Sequence, residues 1–390
     1  MIAARTSHLR TRRGHEHHRV TFVELFFDLV FVFAVTQLSH GLLEHLTPLG
    51  ALQAAILLLA VWWTWIDTAW ITNWLDPEKP AVRLMLFGLM LAGVVLSASI
   101  PKAFEHRALA FAAAYIFMLA LRDMFMLWSL QNHDPGNHLN FLRISIWHVV
   151  CVPLWLAGAL ADGPLRMALW GAAVAIETAG PIFGFWCPML GRSTTADWKI
   201  EGAHMAERCG LFIIIALGES ILITGQTFAG LTWNAATIGA FAVAFVGSVT
   251  MWMVYFNIGA ERSSKLAASS DDPGRIGRNG YTYLHILIVA GIIVSAVGDE
   301  LVLHHPGGHT DVKTAAVILG GPALYLTGNA LFKGLSAPHY PLSHIIGLGL
   351  LVLLIPASIA TTPLLLAALA TAVLIVVVAW EWLSLRQRDA

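Results

Sequence analysis

From Phe22 to Leu385 the chain reads as apolar runs of about twenty residues, separated by short polar or Gly/Pro-containing breaks. A helix rising about 1.5 Å per residue needs roughly that many apolar residues to cross a hydrocarbon layer of about 30 Å. The pattern predicts twelve helices. Six lie at 22–45, 50–74, 82–101, 107–130, 140–161 and 164–186. After the polar connector CPMLGRSTTADWKIEGAH, six more follow at 206–229, 234–259, 280–303, 313–333, 341–360 and 363–385. Barrel strands alternate polar and apolar residues over about ten positions, and these runs do not. The expected fold is an all-α polytopic membrane protein. It has a basic tail (1–21), a six-helix half (22–186), a connector (187–205), a second six-helix half (206–385) and a short tail (386–390).

Composition agrees with that reading. Of 390 residues, 57% are hydrophobic and only 12% charged, with a mean hydropathy of +0.70. A soluble domain carries about 25% charged residues to cover its surface. The formal net charge of −1 gives no electrostatic footprint for nucleic acid. Cys151, Cys187 and Cys209 form neither a paired framework nor a CxxC motif. The basic N-terminus precedes a run too long for a signal-peptide core and without a small-residue cleavage site, so the first helix is expected to be retained.

Lys and Arg are distributed unevenly between the two sets of loops. One set, with the tails, carries Arg5, Arg10, Arg12, Arg13, Arg19, Lys79, Arg83, Arg143, Arg192, Lys199, Arg262, Lys265, Arg275, Arg278, Lys333, Arg386 and Arg388, seventeen in all. The other set carries four: Lys102, Arg107, Arg166 and Lys313. By the positive-inside rule both termini are expected in the cytoplasm of a bacterial cell, with the chain in its inner membrane.

The halves also echo each other. HMAERCGLFIIIALGESILITGQ resembles the first helix in having an acid at its start, an apolar run and a second acid. One register pairs Glu24 with Glu207, the other Asp28 with Glu219. VWWTWID likewise faces TMWMVYF, and GPL faces TPL. Because six is even, such repeats would be parallel, related by an axis along the membrane normal.

The informative residues are those a bilayer tolerates badly, since a central Asp costs about 2.5–3.5 kcal/mol on insertion scales. Glu24 and Asp28 are four residues apart and share a helix face. Glu24 is expected at the membrane edge and Asp28 deeper, facing a polar interior or a cation. Arg208 and Glu219 share a stripe on the seventh helix. Eleven residues, roughly 16 Å, keep them from pairing. Glu219 is expected near mid-membrane and is the leading binding candidate. Arg122 and Asp123 point about 100° apart, so each should answer a different helix. Arg122 is the deepest base and the expected partner of a buried acid, Asp28 among them. Asp67, His148 and Glu177 complete the candidates, with Asn329 as a further polar residue, and Pro181 is expected to kink the helix after Glu177. Trp62, Trp63, Trp65, Trp70 and Trp74 are candidate cavity walls beside Asp67. The His-rich stretches at His15, His17 and His18 and at His304, His305 and His309 lack a closed four-ligand pattern, so no metal is expected. Nucleotide loops, HExxH, GxSxG and cofactor motifs are absent from the sequence.

TFVELFFDLVFVFAVTQLSH, WWTWIDTAWITNWLD and ERCGLFIIIALGESIL resemble the bacterial low temperature requirement protein A (LtrA) family over nearly the whole chain. Cys209 stands where an aromatic residue, usually Tyr, is expected. The family is named for a cold-growth phenotype, so the resemblance implies an architecture and not a chemistry. FFDLVFVFAVT is more distantly similar to the first-helix Phe-Ser-Asp signature of the lysosomal and bacterial potassium-channel family, which also uses six-helix repeats. Here Phe27 replaces the serine.

Buried acids on corresponding helices suit a secondary transporter, a cation- or proton-coupled permease whose carboxylates lie at the repeat interface. The alternatives are a cation channel, or an intramembrane enzyme acting on lipid or an isoprenoid carrier. Transport is preferred over catalysis. The partners this composition admits are the bilayer, a small solute or cation, and further copies of the chain.

Overall fold

The structure, a computed structural model, describes residues 7–10, 19–257, 272–335 and 339–389. Arg5, Arg12, Arg13, Arg262, Lys265, His15, His17 and His18 lie outside them. Among the described residues there are twelve long helices and no β-strand beyond two isolated bridges. The first six are α1 (Phe22–Glu44), α2 (Pro48–Ile71), α3 (Pro80–Ser99), α4 (Ala108–Leu130), α5 (Pro135–Leu160) and α6 (Gly163–Ala179). The rest are α7 (Gly202–Gly230), α8 (Ala235–Phe256), α9 (Pro273–His304), α10 (Val312–Leu335), α11 (Leu342–Ala357) and α12 (Pro363–Asp389). Eleven are long and apolar enough to cross a membrane. The exception is α6, with 17 residues.

Helix starts follow local chemistry. Pro stands in the first turn of α3, α5 and α6, where its missing N–H costs nothing and its φ is already helical. Asp134 caps α5 by accepting from the Asn137 N–H, and Asn234 caps α8 by accepting from Ala236 and Thr237.

Several boundaries differ from the sequence expectation, and α5 starts at Pro135, ahead of the expected 140. Pro181 does not kink α6 but follows its end at Ala179. With Gly180 and Pro181 in succession the chain turns instead, through positive φ at Gly184 (61°) and Phe185 (49°). A Cβ on Gly184 would strike the Ser193 carbonyl oxygen, so only glycine fits there. The seventh helix starts at Gly202, ahead of the expected 206. The ninth starts at Pro273, and Gly277–Leu284 within it is wound as a π-helix.

The described residues fall into two compact units, Met1–Gly41, Leu49–Arg208 and Ala268–Arg278 in the first, and Leu42–Pro48, Cys209–Ala267 and Asn279–Ala390 in the second. In the first, α3 packs on α4, α4 on α5 and α5 on α6. Its core is aromatic: Trp155 lies 4.4 Å from Tyr115 and 5.4 Å from Trp170 between ring centroids. Trp62, Trp63 and Trp65 are buried in the same unit. In the second, α9 and α10 approach closely through glycines. A Cβ on Gly291 would lie 2.8 Å from the Tyr325 Cα, and one on Gly328 would lie 2.9 Å from the Ile288 backbone nitrogen. Close backbone approach at small residues is how membrane helices gain contact without a hydrophobic driving force. Large apolar side chains such as Leu84, Leu91, Leu109, Val352 and Leu353 point outward. On a water-soluble protein so much exposed apolar surface would be a liability, whereas here it meets lipid tails.

Candidate functional site

Glu24 and Asp28 lie on one face of α1, as four-residue spacing requires, and both are fully buried. Glu24, in the first turn of α1, is therefore enclosed by protein groups. Its Oε1 accepts from Arg208 (3.2 Å), His204 Nε2 (2.9 Å) and Arg10 (3.3 Å). Its Oε2 accepts from the Thr21 N–H and hydroxyl, both at 2.9 Å. His204 is oriented by Asn73, whose Nδ2 lies 3.2 Å from Nδ1. The Asn73 Oδ1 is already taken by the Glu201 N–H at 2.7 Å, so the imidazole Nδ1 accepts and Nε2 donates. Asp28 Oδ1 accepts from Arg208 at 2.5 Å and from the Trp65 indole at 2.7 Å. Arg208 also stands 5.7 Å from the Trp65 ring centroid. The cation facing Asp28 is thus Arg208 and not Arg122, because α7 begins early enough to carry Arg208 into the bundle. Glu207 lies on the exposed side and accepts from the Val20 N–H at 3.2 Å. Two acids and two guanidiniums make this first network electrically balanced.

The second network is not balanced. Arg122 and Asp123, adjacent on α4, reach different helices, as their angular separation demands. Arg122 pairs with Asp67 of α2 at 2.9 Å, and Asp123 meets His148 of α5 at 2.7 Å. Arg122 also stands 3.9 Å from Asp123. Glu177 on α6 accepts from the Tyr115 hydroxyl and, at 2.9 Å, from the Trp155 indole. It lies within electrostatic reach of His148 and Asp67. Arg122, Asp123, His148 and Glu177 are buried, whereas the Asp67 side chain keeps a quarter of its surface exposed. Three carboxyls therefore share one guanidinium and one imidazole in a low-dielectric interior.

Glu219 is half-buried on α7, in the second unit. That unit holds charged groups the sequence reading passed over. Lys333, counted there as a loop residue, is buried. It donates to both oxygens of Glu381 (2.9 and 3.0 Å) and to the Val254 carbonyl (2.8 Å). His344 stands 3.5 Å from Glu381. In the same unit His285 is fully buried, its Nε2 2.8 Å from the Tyr255 hydroxyl. Asp299 on α9 lines a small cavity. The signal for Glu381 and Asp299 was present, since AWEWL and VGDEL each put an acid inside an apolar run. The three cysteines are buried and in no disulfide among the described residues.

Span-length apolar helices enclosing charged networks define a polytopic membrane protein. The profile of the bacterial low temperature requirement A protein (LtrA) family matches residues 19–379, and the chain belongs to that family. It is 37% identical over 390 residues to an uncharacterized protein of Rhizobium meliloti (strain 1021), covering 99% of this chain and 94% of the relative.

Proposed function

We propose that the protein is a secondary transporter coupled to protons or a cation, with Asp67, Arg122, Asp123, His148 and Glu177 as the coupling site. The observation that carries this reading is the charge imbalance of that network. With all three carboxyls ionised it stays net negative even if His148 is protonated, so burial favours holding at least one proton or cation. Asp28, the acid paired in the sequence with Glu219, is committed to Arg208, and its network supports the fold. Arg122 supplies the two-state element. It holds Asp67 at 2.9 Å with Asp123 next nearest at 3.9 Å. Protonating one acid hands the guanidinium to the other, and the two arrangements favour different helix packings. Partial exposure of Asp67 supplies the access such a proton needs. The Lys/Arg bias supports the inner membrane with both termini cytoplasmic, and the sequence echoes support two parallel six-helix repeats.

Purified protein in liposomes with a pH-sensitive dye inside tests the proposal. Wild type should collapse an imposed pH gradient faster than empty liposomes. Asp123→Asn and Glu177→Gln should each slow this at least tenfold while eluting as folded protein. Wild-type liposomes as tight as empty ones, or folded variants with undiminished flux, would overturn it.

A further inference from the structure

The cavity beside Asp299 offers about 30 Å³ for the centres of water molecules. A single water needs roughly 10–15 Å³ by that measure, so two or three small species fit. Its walls come from α8, α9, α10 and α12. The polar wall residues are Ser295, Asp299 and Thr371, with Ile318 and Pro322 beside them.

Each contributes oxygen and none a positive charge. Ser295 is buried, and its Oγ has no hydrogen-bond partner among the described residues. Asp299 likewise makes no hydrogen bond or ion pair with any of them. The Thr371 Oγ1 points at Gly247, 3.5 Å from where a Cβ would stand. Pro322, inside α10, has no N–H to return to the carbonyl of Ile318 four residues earlier, and Ile318 itself lines the cavity. A carboxylate without a cation, an unspent hydroxyl and a released carbonyl in an apolar bundle make up an incomplete coordination shell. Leaving such groups unmatched is costly.

We infer that this cavity binds a monovalent cation of the sodium class, with Asp299 as the charged ligand and Ser295, Thr371 and the Ile318 carbonyl as neutral oxygen ligands. Charge decides the valence. One carboxylate neutralises one positive charge, whereas Ca²⁺ or Mg²⁺ would leave a surplus charge in the bundle. Broken helices that offer carbonyls to ions are a recurrent way to build such sites in membranes. The site belongs wholly to the second unit and does not depend on the network around Arg122.

The test is ligand-linked stability of the full chain in detergent, read as the unfolding temperature at constant ionic strength while sodium replaces N-methylglucamine. Wild type should rise by a few degrees with a saturating dependence, as binding to the native state alone requires. Asp299→Asn should abolish the rise, and Ser295→Ala and Thr371→Val should each raise the sodium concentration needed several-fold. If Asp299→Asn does not fold, the two hydroxyl variants decide the matter. No sodium dependence in wild type would overturn the inference. So would a rise produced by Ca²⁺ or Mg²⁺ instead, a rise retained in Asp299→Asn, or a response to acid alone. Because nothing is transported in this measurement, its failure and that of the proton-flux experiment are separate.

Discussion

Arg208 donates to two buried carboxylates on α1, from Nη1 to Glu24 and from Nη2 to Asp28. Removing a buried partner leaves charge uncompensated, typically at about 3–5 kcal/mol. Arg208→Gln should therefore lower the unfolding temperature in detergent sharply. Adding Asp28→Asn should cost less than the sum of the singles, by about 0.5–3 kcal/mol of coupling. The exposed pair of Arg83 and Glu78, at 2.8 Å, lies between the two Arg208 pairs in length, yet Arg83→Gln should change stability by no more than about 1 kcal/mol, because water already solvates both groups. Equal losses from the two arginine variants would contradict this account of burial. The sequence disclosed Glu24 and Asp28 as neighbours but not their cation, which lies 180 positions away. Starting the seventh helix at 206 put Arg208 at a membrane edge, whereas the start at Gly202 carries it nearly two turns inward. The donors of Glu24 were hidden for the same reason: Arg10 comes from the tail, and His204 from the first turn of α7, which hydropathy had left in the connector.

At the scale of elements, periodic apolar length was enough to place all twelve helices, because each must satisfy its own backbone in lipid, though the start of α5, the end of α6 and the start of α9 fall five to seven residues from expectation. Their ends were less legible, since α6 stops where Gly180 and Pro181 meet and α9 gains a π-wound segment. Neither is a hydropathy event. Which helices press together was not legible, because hydropathy does not distinguish the small residues that bear contact from those that do not. Gly320 and its neighbours on α10 show the difference. A Cβ at Gly320 meets nothing within 4 Å, whereas one at Gly328 meets the Ile288 backbone nitrogen at 2.9 Å, and one at Gly291 meets the Tyr325 Cα at 2.8 Å. Gly291→Ala and Gly328→Ala should each destabilise by about 1–3 kcal/mol through forced separation of α9 and α10. Gly320→Ala should be neutral, or stabilising by up to about 1 kcal/mol, since alanine is the better helix former. Thermal unfolding in a single detergent compares all three, and a destabilising Gly320→Ala would refute the assignment of the contact face.

At the scale of the whole chain, the outstanding question is the number of crossings, and it turns on α6. With 17 residues it spans about 25 Å, short of an average hydrocarbon layer of about 30 Å. A short helix can still cross where the bilayer thins locally, at a fraction of a kcal/mol per ångström of mismatch. The charge pattern argues that it does: its first turn holds the single base Arg166 while the connector beyond holds Arg192 and Lys199, the asymmetry that positive-inside sorting produces across a single crossing. Asp162 is almost fully exposed, Arg192 is exposed, and the native thiols are all buried, so a single introduced cysteine gives a clean signal at either position. In intact cells a membrane-impermeant maleimide should label Asp162→Cys. Arg192→Cys should react only after the membrane is opened, and a fluorescent protein fused to the C-terminus should light up in the cytoplasm. If α6 merely dips into the membrane, both cysteines will label together from one side and twelve crossings become eleven. The C-terminus would then lie opposite the N-terminus, and two parallel repeats would be ruled out, since parallel halves require an even number of crossings in each.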